Sequence, residues 1–339
     1  MGRDPRGTLT TDGGNGGITA RIDAARRRII VPWLVLAFAV TAACDMIDTR
    51  GPGVPAPQRD ASAGEPEGEP SLLSQALRRR YAQMQARYLA EGFLRMDDGG
   101  PDAAFGAARL AQNFERIALY DEYVVQNGRF VRRDTPSTLR RWEQPVRMGI
   151  VHGPSVDAAR RAANTDDIAL YANRLSRLTG HDIRLVGDRV NFHILIMNVD
   201  ELRNSPPLLK RLLPGIDSAS LREIPNLSAN ILCAVYAYGG ADAPSRYRQA
   251  LVVIRAEHPD RLRRSCIHEE LAQGLGLVND SPGARPSIFN DDEEFGLLTT
   301  HDEMLLKILY DRRLRPGMTP AEARDIVRMI ATELTDGTS

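Results

Sequence analysis

"CIHEELAQGLGLVND", residues 266–280, decides how the rest of the chain is read. Ile267, Leu271 and Leu275 recur at i, i+4 and i+8, the spacing of one buried helix face. Glu269 and Gln273 fall on another face, and glycines follow at 274 and 276. Glycine just past a periodic run ends a helix. The spacing predicts a helix from about Arg263 to Leu275, broken near Gly276.

The pair His268-Glu269 begins like the zinc-peptidase helix H-E-x-x-H, in which two ligands at i and i+4 share one face. The second histidine does not follow, because position 272 is alanine. Moved by one residue, 269–279 fits the longer pattern H-E-x-x-H-x-x-G-x-x-H. Glu269 then stands at the first ligand position and Glu270 at the general base. Gln273 and Asn279 stand at the second and third ligand positions, and Gly276 at the helix-breaking glycine. Downstream, "SIFNDD" (287–292) lies where such enzymes carry a methionine turn, with Ile288 and Phe289 in its place. "LTTHDEMLLKILYD" (298–311) resembles the closing helix of matrixins, matched at Leu298, Asp302, Leu309 and Tyr310. The stretch from 142 to 311 therefore resembles a metzincin whose zinc ligands are replaced.

At finer grain, Cys266–Asp280, Ser287–Asp291 and Leu309–Asp311 resemble the hallmark runs of the proteobacterial domain-of-unknown-function family 2927. That resemblance implies a fold and a lipoprotein character, and no activity.

Zinc prefers imidazole, thiolate and carboxylate, so two amides in three positions argue against zinc. A hard cation on Glu269, Asp280 or Asp291 stays open as a weaker reading. Adjacent carboxylates at 269 and 270 diverge by about 100° and are not expected to converge on one atom. No cofactor is expected. Two functions remain: a non-catalytic binding or scaffold protein, in which the polar side chains hold helix to loop, and a divergent hydrolase using Glu270 as base. His258, His268 and His301 form a ligand set only if the fold brings them together. His193 reads as a core residue, and His152 and His181 as surface residues.

Working outward, "DIRLVG", "NFHILIMNV", "SANILCAVYAYG" and "YRQALVVIRAE" read as strands, the first two joined by a turn at Gly187-Asp188. "PVRMGIVHG" (145–153) is a strand before a helix at 155–180, capped by Ser155, ended by Gly180 and interrupted near Asn164. Helices are expected at 71–92 and 101–122. The fold class is α/β (α+β), with one mixed sheet, a long helix, a motif helix and a C-terminal helix. There is no internal repeat.

Near the start, three arginines precede fifteen apolar or small residues, Ile29 to Ala43, and then Cys44. The run is short for a membrane span of ~20 residues and fits a signal h-region. Thr41-Ala42-Ala43-Cys44 resembles a lipobox, so Cys44 is the expected lipidation site; an uncleaved anchor is the alternative. Either way the body lies on the far side of the membrane, since the arginines stay inside. Asp45 suggests retention at the inner membrane, on its periplasmic side. The long tail before Arg26 leaves the translation start open.

Four segments are expected: a tail and signal peptide (1–44), a Pro/Gly-rich tether (45–70), a helical region (71–141) and a zincin-like domain (142–330). Lys+Arg and Asp+Glu both number 44, so no field points to nucleic acid. Partners are the membrane, through Cys44, and a peptide or envelope protein. With Cys44 lipidated, Cys233 and Cys266 are an even pair that an oxidising compartment favours joining; two buried thiols remain the other option.

Overall fold

β7 (Phe192–Met197) is buried at every residue, as a strand flanked on both edges and both faces must be. Its neighbours are β5 (Val146–His152) and β9 (Ala243–Arg255), both parallel to it. In the computed structural model, which describes residues 18–24, 69–126, 129–290 and 292–337, these strands centre a mixed sheet. Its order is β1 (Ile18–Ala24), β8 (Ile231–Gly240), β9, β7, β5 and β6 (Ile183–Leu185), with β4 (Arg141–Trp142) beside β9. β8 runs antiparallel to both neighbours. The protein is α/β.

Helices cover both faces. α1 (Leu72–Ala90), α2 (Ala107–Ala118), α3 (Ala158–Thr179), α7 (Asp260–Gln273), α8 (Thr300–Leu309) and α9 (Pro320–Asp336) share one core with the inward residues of β5, β7, β8 and β9. The short α4 (Val199–Arg203), α5 (Pro206–Leu212) and α6 (Ser218–Glu223) lie over the other face, around Leu195, Tyr236 and Leu251. Among the described residues no helix is long and apolar enough to cross a membrane. The signal-like run, Cys44, the tether before Glu69 and Asp291 lie outside the described residues.

Several expectations need correction. β6 and β7 are not partners across a turn, because β5 lies between them. Their link crosses β5 at Gly149, where a Cβ would collide with Val190. Asn191 fixes that crossing: its amide donates to Pro145 O at 2.9 Å and accepts from Arg147 N at 2.7 Å. The long helix α3 is continuous through Asn164 and is capped by Asp157 rather than Ser155. Asn164 is tolerated mid-helix because its Oδ1 accepts from buried Arg263.

The helix expected at 101–122 shrinks to α2. A strand hairpin, β2 (Tyr120–Gln126) and β3 (Arg129–Pro136), follows it. Residues 18–24 fall in the expected tail, yet they pair with β8. The missed signal is the alternation of Ile18, Ala20 and Ile22 with Thr19, Arg21 and Asp23.

Candidate functional site

The motif helix α7 starts after Pro259, with Asp260 in its first turn favouring the positive end of the helix dipole. It stops at Gln273, two residues before the expected end. The carbonyls just past its end are taken by side chains from elsewhere. Trp142 Nε1 donates to Gly274 O at 2.9 Å, and the Tyr310 hydroxyl donates to Leu275 O at 3.1 Å. Gly276 then turns the chain at φ +130°, with the Arg140 carbonyl where a side chain would begin. Only glycine fits there. Tyr310 of the closing helix therefore has a definite task, which is to hold the end of the motif helix.

Cys266, Glu269, Glu270 and Gln273 stand at i, i+3, i+4 and i+7, one stripe of α7. Cys266 fixes the direction of that stripe, because it is disulfide-bonded to Cys233 on β8, with Cα atoms 5.8 Å apart. The pairing left open by the sequence is thus a bond. Carboxylate oxygens of Glu269 and Glu270 and the Cys233 sulfur lie within 4.8 Å of one another. The two carboxylates do converge, contrary to expectation: the Cβ directions diverge, but two flexible methylenes bring the heads together.

Glu270 is fully buried, Gln273 is 1 % exposed and Glu269 8 %. Neither polar atom of the Gln273 amide has a hydrogen-bond partner among the described residues.

Asn279, at the third ligand position, is engaged elsewhere. Its Nδ2 donates to Arg116 O at 3.1 Å, and its own N–H donates to Ile117 O at 3.0 Å, capping α2. Its Oδ1 accepts from the N–H of Asp280. Asp280 is buried as well. Beyond it, Ser281 N donates to Phe289 O, and Ile288 and Phe289 are buried in the core. Asp302 anchors this loop, accepting from Ser287 Oγ, Ile288 N, Thr299 N and Thr299 Oγ1.

The residues present do not fit zinc. The only cluster of His, Cys, Asp and Glu found among the described residues is Cys233, Glu269 and Glu270, and its sulfur is locked in the disulfide. What remains is two carboxylates and an amide, a set of hard oxygens.

The histidines do not rebuild a ligand set. His268 stacks on Tyr171 at 4.0 Å and accepts from Leu298 N. His258 lies edge-on to Tyr81, with Nδ1 3.8 Å from Cys266 Sγ. His301 pairs with Asn113 at 3.0 Å. Sequence reasoning missed Trp142, Tyr171 and Asn113, since nothing local marks a side chain that serves a distant helix. It also missed a cleft of about 750 Å³ beside α2, lined by Arg109, Asn113, Arg116 and Ser281. Arg116 there is ion-paired with Asp134.

Burial depresses His258 and His268 to about 3. The unfolded chain takes up protons below about 6.5 that both refuse in the fold. Stability is therefore lost as pH falls from 6.5 towards 3, by up to ~1.4 kcal/mol per pH unit for each. Glu223 on α6 opposes this. Burial, with the charge of Asp217, pushes it up to about 7 from 4.5, so its share of stability falls as pH rises through that window. It is only half-buried, and two enclosed imidazoles outweigh it. The denaturation midpoint should fall from pH 7 to 5, and Glu223→Gln should steepen the fall. A flat profile would contradict the assignment.

No curated protein and no solved structure matches the chain. A family model does, over residues 107–329, which include the motif helix, the loop gripped by Asp302 and the closing helix. The chain belongs to the family described as protein of unknown function (DUF2927).

Proposed function

We propose that the protein is a cell-envelope lipoprotein, held by Cys44 on the periplasmic side of the inner membrane. Its body is a zincin-like binding or scaffold domain without zinc chemistry. The order of strand, long helix, strands, motif helix and closing helix supports the metzincin comparison. One observation carries the loss of catalysis: the second ligand position is the buried Gln273 amide, and the third, Asn279, is spent on the end of α2. The alternative, a hydrolase using Glu270 as base, has the two converging carboxylates in its favour. Against it stands the complete burial of Glu270, since a general base must reach a water or substrate proton. The partner is a peptide or an envelope protein.

The deciding experiment is metal analysis of the purified protein, combined with a peptide-library hydrolysis assay. The expected result is no stoichiometric zinc and no cleavage. Stoichiometric zinc, or cleavage abolished by Glu270→Gln, would overturn the scaffold reading. Mass spectrometry of the membrane fraction should find Cys44 at the new N-terminus carrying lipid, and an unmodified Cys44 would refute the anchor.

A further inference from the structure

The helix α1 buries one stripe, Ser74, Leu77, Tyr81, Met84 and Tyr88. On its outer side Leu72, Ala76, Arg79, Gln83, Ala86 and Ala90 recur every three or four residues, and all are exposed. Arg80 and Arg87 flank that line. A single exposed leucine is ordinary. Here two adjacent ones, Leu72 at 83 % and Leu73 at 40 % exposed, form the first turn.

The charge of this helix departs from that of the chain. Basic and acidic residues balance overall at 44 each, yet Leu72–Ala90 carries Arg78, Arg79, Arg80 and Arg87 and no Asp or Glu. Elsewhere on the surface Arg95, Arg285 and Arg313 sit on carboxylates. On α1, Arg80 donates to Asn230 and Arg87 lies over the Tyr88 ring. Arg78 and Arg79 have no hydrogen-bond or ion-pair partner among the described residues.

The end that carries the leucines is the end nearest the membrane anchor along the chain. Ser71 caps it, its Oγ accepting from Ser74 N at 3.1 Å, while its own N–H donates to Asp200. Twenty-seven residues, 45–71, separate Cys44 from Leu72. A coil of that length spans roughly 30 Å. A surface at such range is met at an effective concentration on the order of millimolar, so weak affinity suffices for docking.

We propose that the outer face of α1 docks on an anionic phospholipid surface, that of the membrane to which the chain is attached. Leu72 and Leu73 enter the headgroup region, and the arginines meet lipid phosphates with their stems laid along the surface. This deepens the proposed function and rests on its membrane attachment. Lipid on Cys44 and an uncleaved apolar run at 29–43 both serve, since either puts α1 on the same side as the body.

The test uses the full chain reconstituted in vesicles of phosphatidylcholine alone, or of phosphatidylcholine and phosphatidylglycerol in equal parts. Modification of arginines by phenylglyoxal is followed by mass spectrometry. Arg79 and Arg87 should react at least about fivefold more slowly in the anionic vesicles, the effect of one basic residue near such a surface. The difference should shrink as salt is raised, and Arg189, exposed between β6 and β7, should react equally in both. Leu72→Ser with Leu73→Ser, and Arg78→Glu with Arg79→Glu, should each return Arg87 to its rate in phosphatidylcholine. All four positions are exposed, and unchanged hydrogen exchange at 192–197 shows that the body remains folded. Equal rates in the two kinds of vesicle would overturn the inference. So would slow modification already present in detergent without lipid, which would assign the face to the acidic stretch Asp60–Glu69 or to a second copy. A chain that does not float with either vesicle would refute the attachment itself, whereas one that floats with equal rates refutes only the docking.

Discussion

Replacing Cys233 and Cys266 together with alanine is expected to cost ~4 kcal/mol of stability, measured by denaturant unfolding. The bridge closes a loop of 33 residues between β8 and α7, and chain-entropy scaling for that length gives about that figure. Both sulfurs are buried, so the variant also loses packing. The same loss should appear when the natural protein is unfolded under a dithiol reductant. A cost below ~1 kcal/mol would mean that the helix–strand contact stands without the bond.

Asp302→Ala should be comparably severe, at about 3–5 kcal/mol, the range for removing one member of a buried charged network. Asp302 is fully buried and accepts from two backbone N–H groups and two hydroxyls. Alanine would leave three donors, Ser287 Oγ, Ile288 N and Thr299 N, facing an apolar void, while the Thr299 hydroxyl still reaches Pro286 O, and each buried donor left unmade costs ~1–3 kcal/mol before relaxation. It would also remove the capping box that starts α8. Asp302→Asn is the milder control, because it keeps the volume and one acceptor. The alanine variant should show fast hydrogen exchange across residues 284–299 while β7 stays protected. A variant that unfolds at the wild-type midpoint would refute the anchoring role.

How much of this was legible in the sequence follows from distance along the chain. Alternation and helical period are local, so β5, β7, β8, α7 and α8 are legible to within about three residues at each end, whereas β9 begins at Ala243, four residues before the expected Tyr247. Glycine at 276 marked the turn, because the constraint acts on that residue's own backbone. The order of strands was not local. Nothing in "DIRLVG" says that β5 will come between it and the next strand, since that depends on Asn191 and on the missing side chain at Gly149. The short β1 was hidden by its surroundings, a tail rich in glycine and arginine. At the site, the shared face of Glu269 and Gln273 is legible as helical spacing, but the convergence of Glu270 with Glu269 is not, because it depends on side-chain torsions. The commitment of Asn279 to α2 was not, because its partners are carbonyls at residues 116 and 117. Side-chain caps such as Trp142 and Tyr310 are invisible for the same reason.

The two-residue strand β4 has a consequence for how the chain acquires its fold. Trp142 pairs with Tyr247, about a hundred residues later, and β7 waits for the same segment to cover its second edge. During synthesis the strands up to β7 are made before the strand that completes them, and their apolar faces have no lasting partner. Contacts of such long range are slow to form, because loop closure must come first. Completion of the sheet therefore waits until residue 255 has emerged, and until then the strands made earlier expose apolar faces, the condition under which incomplete chains are prone to aggregate.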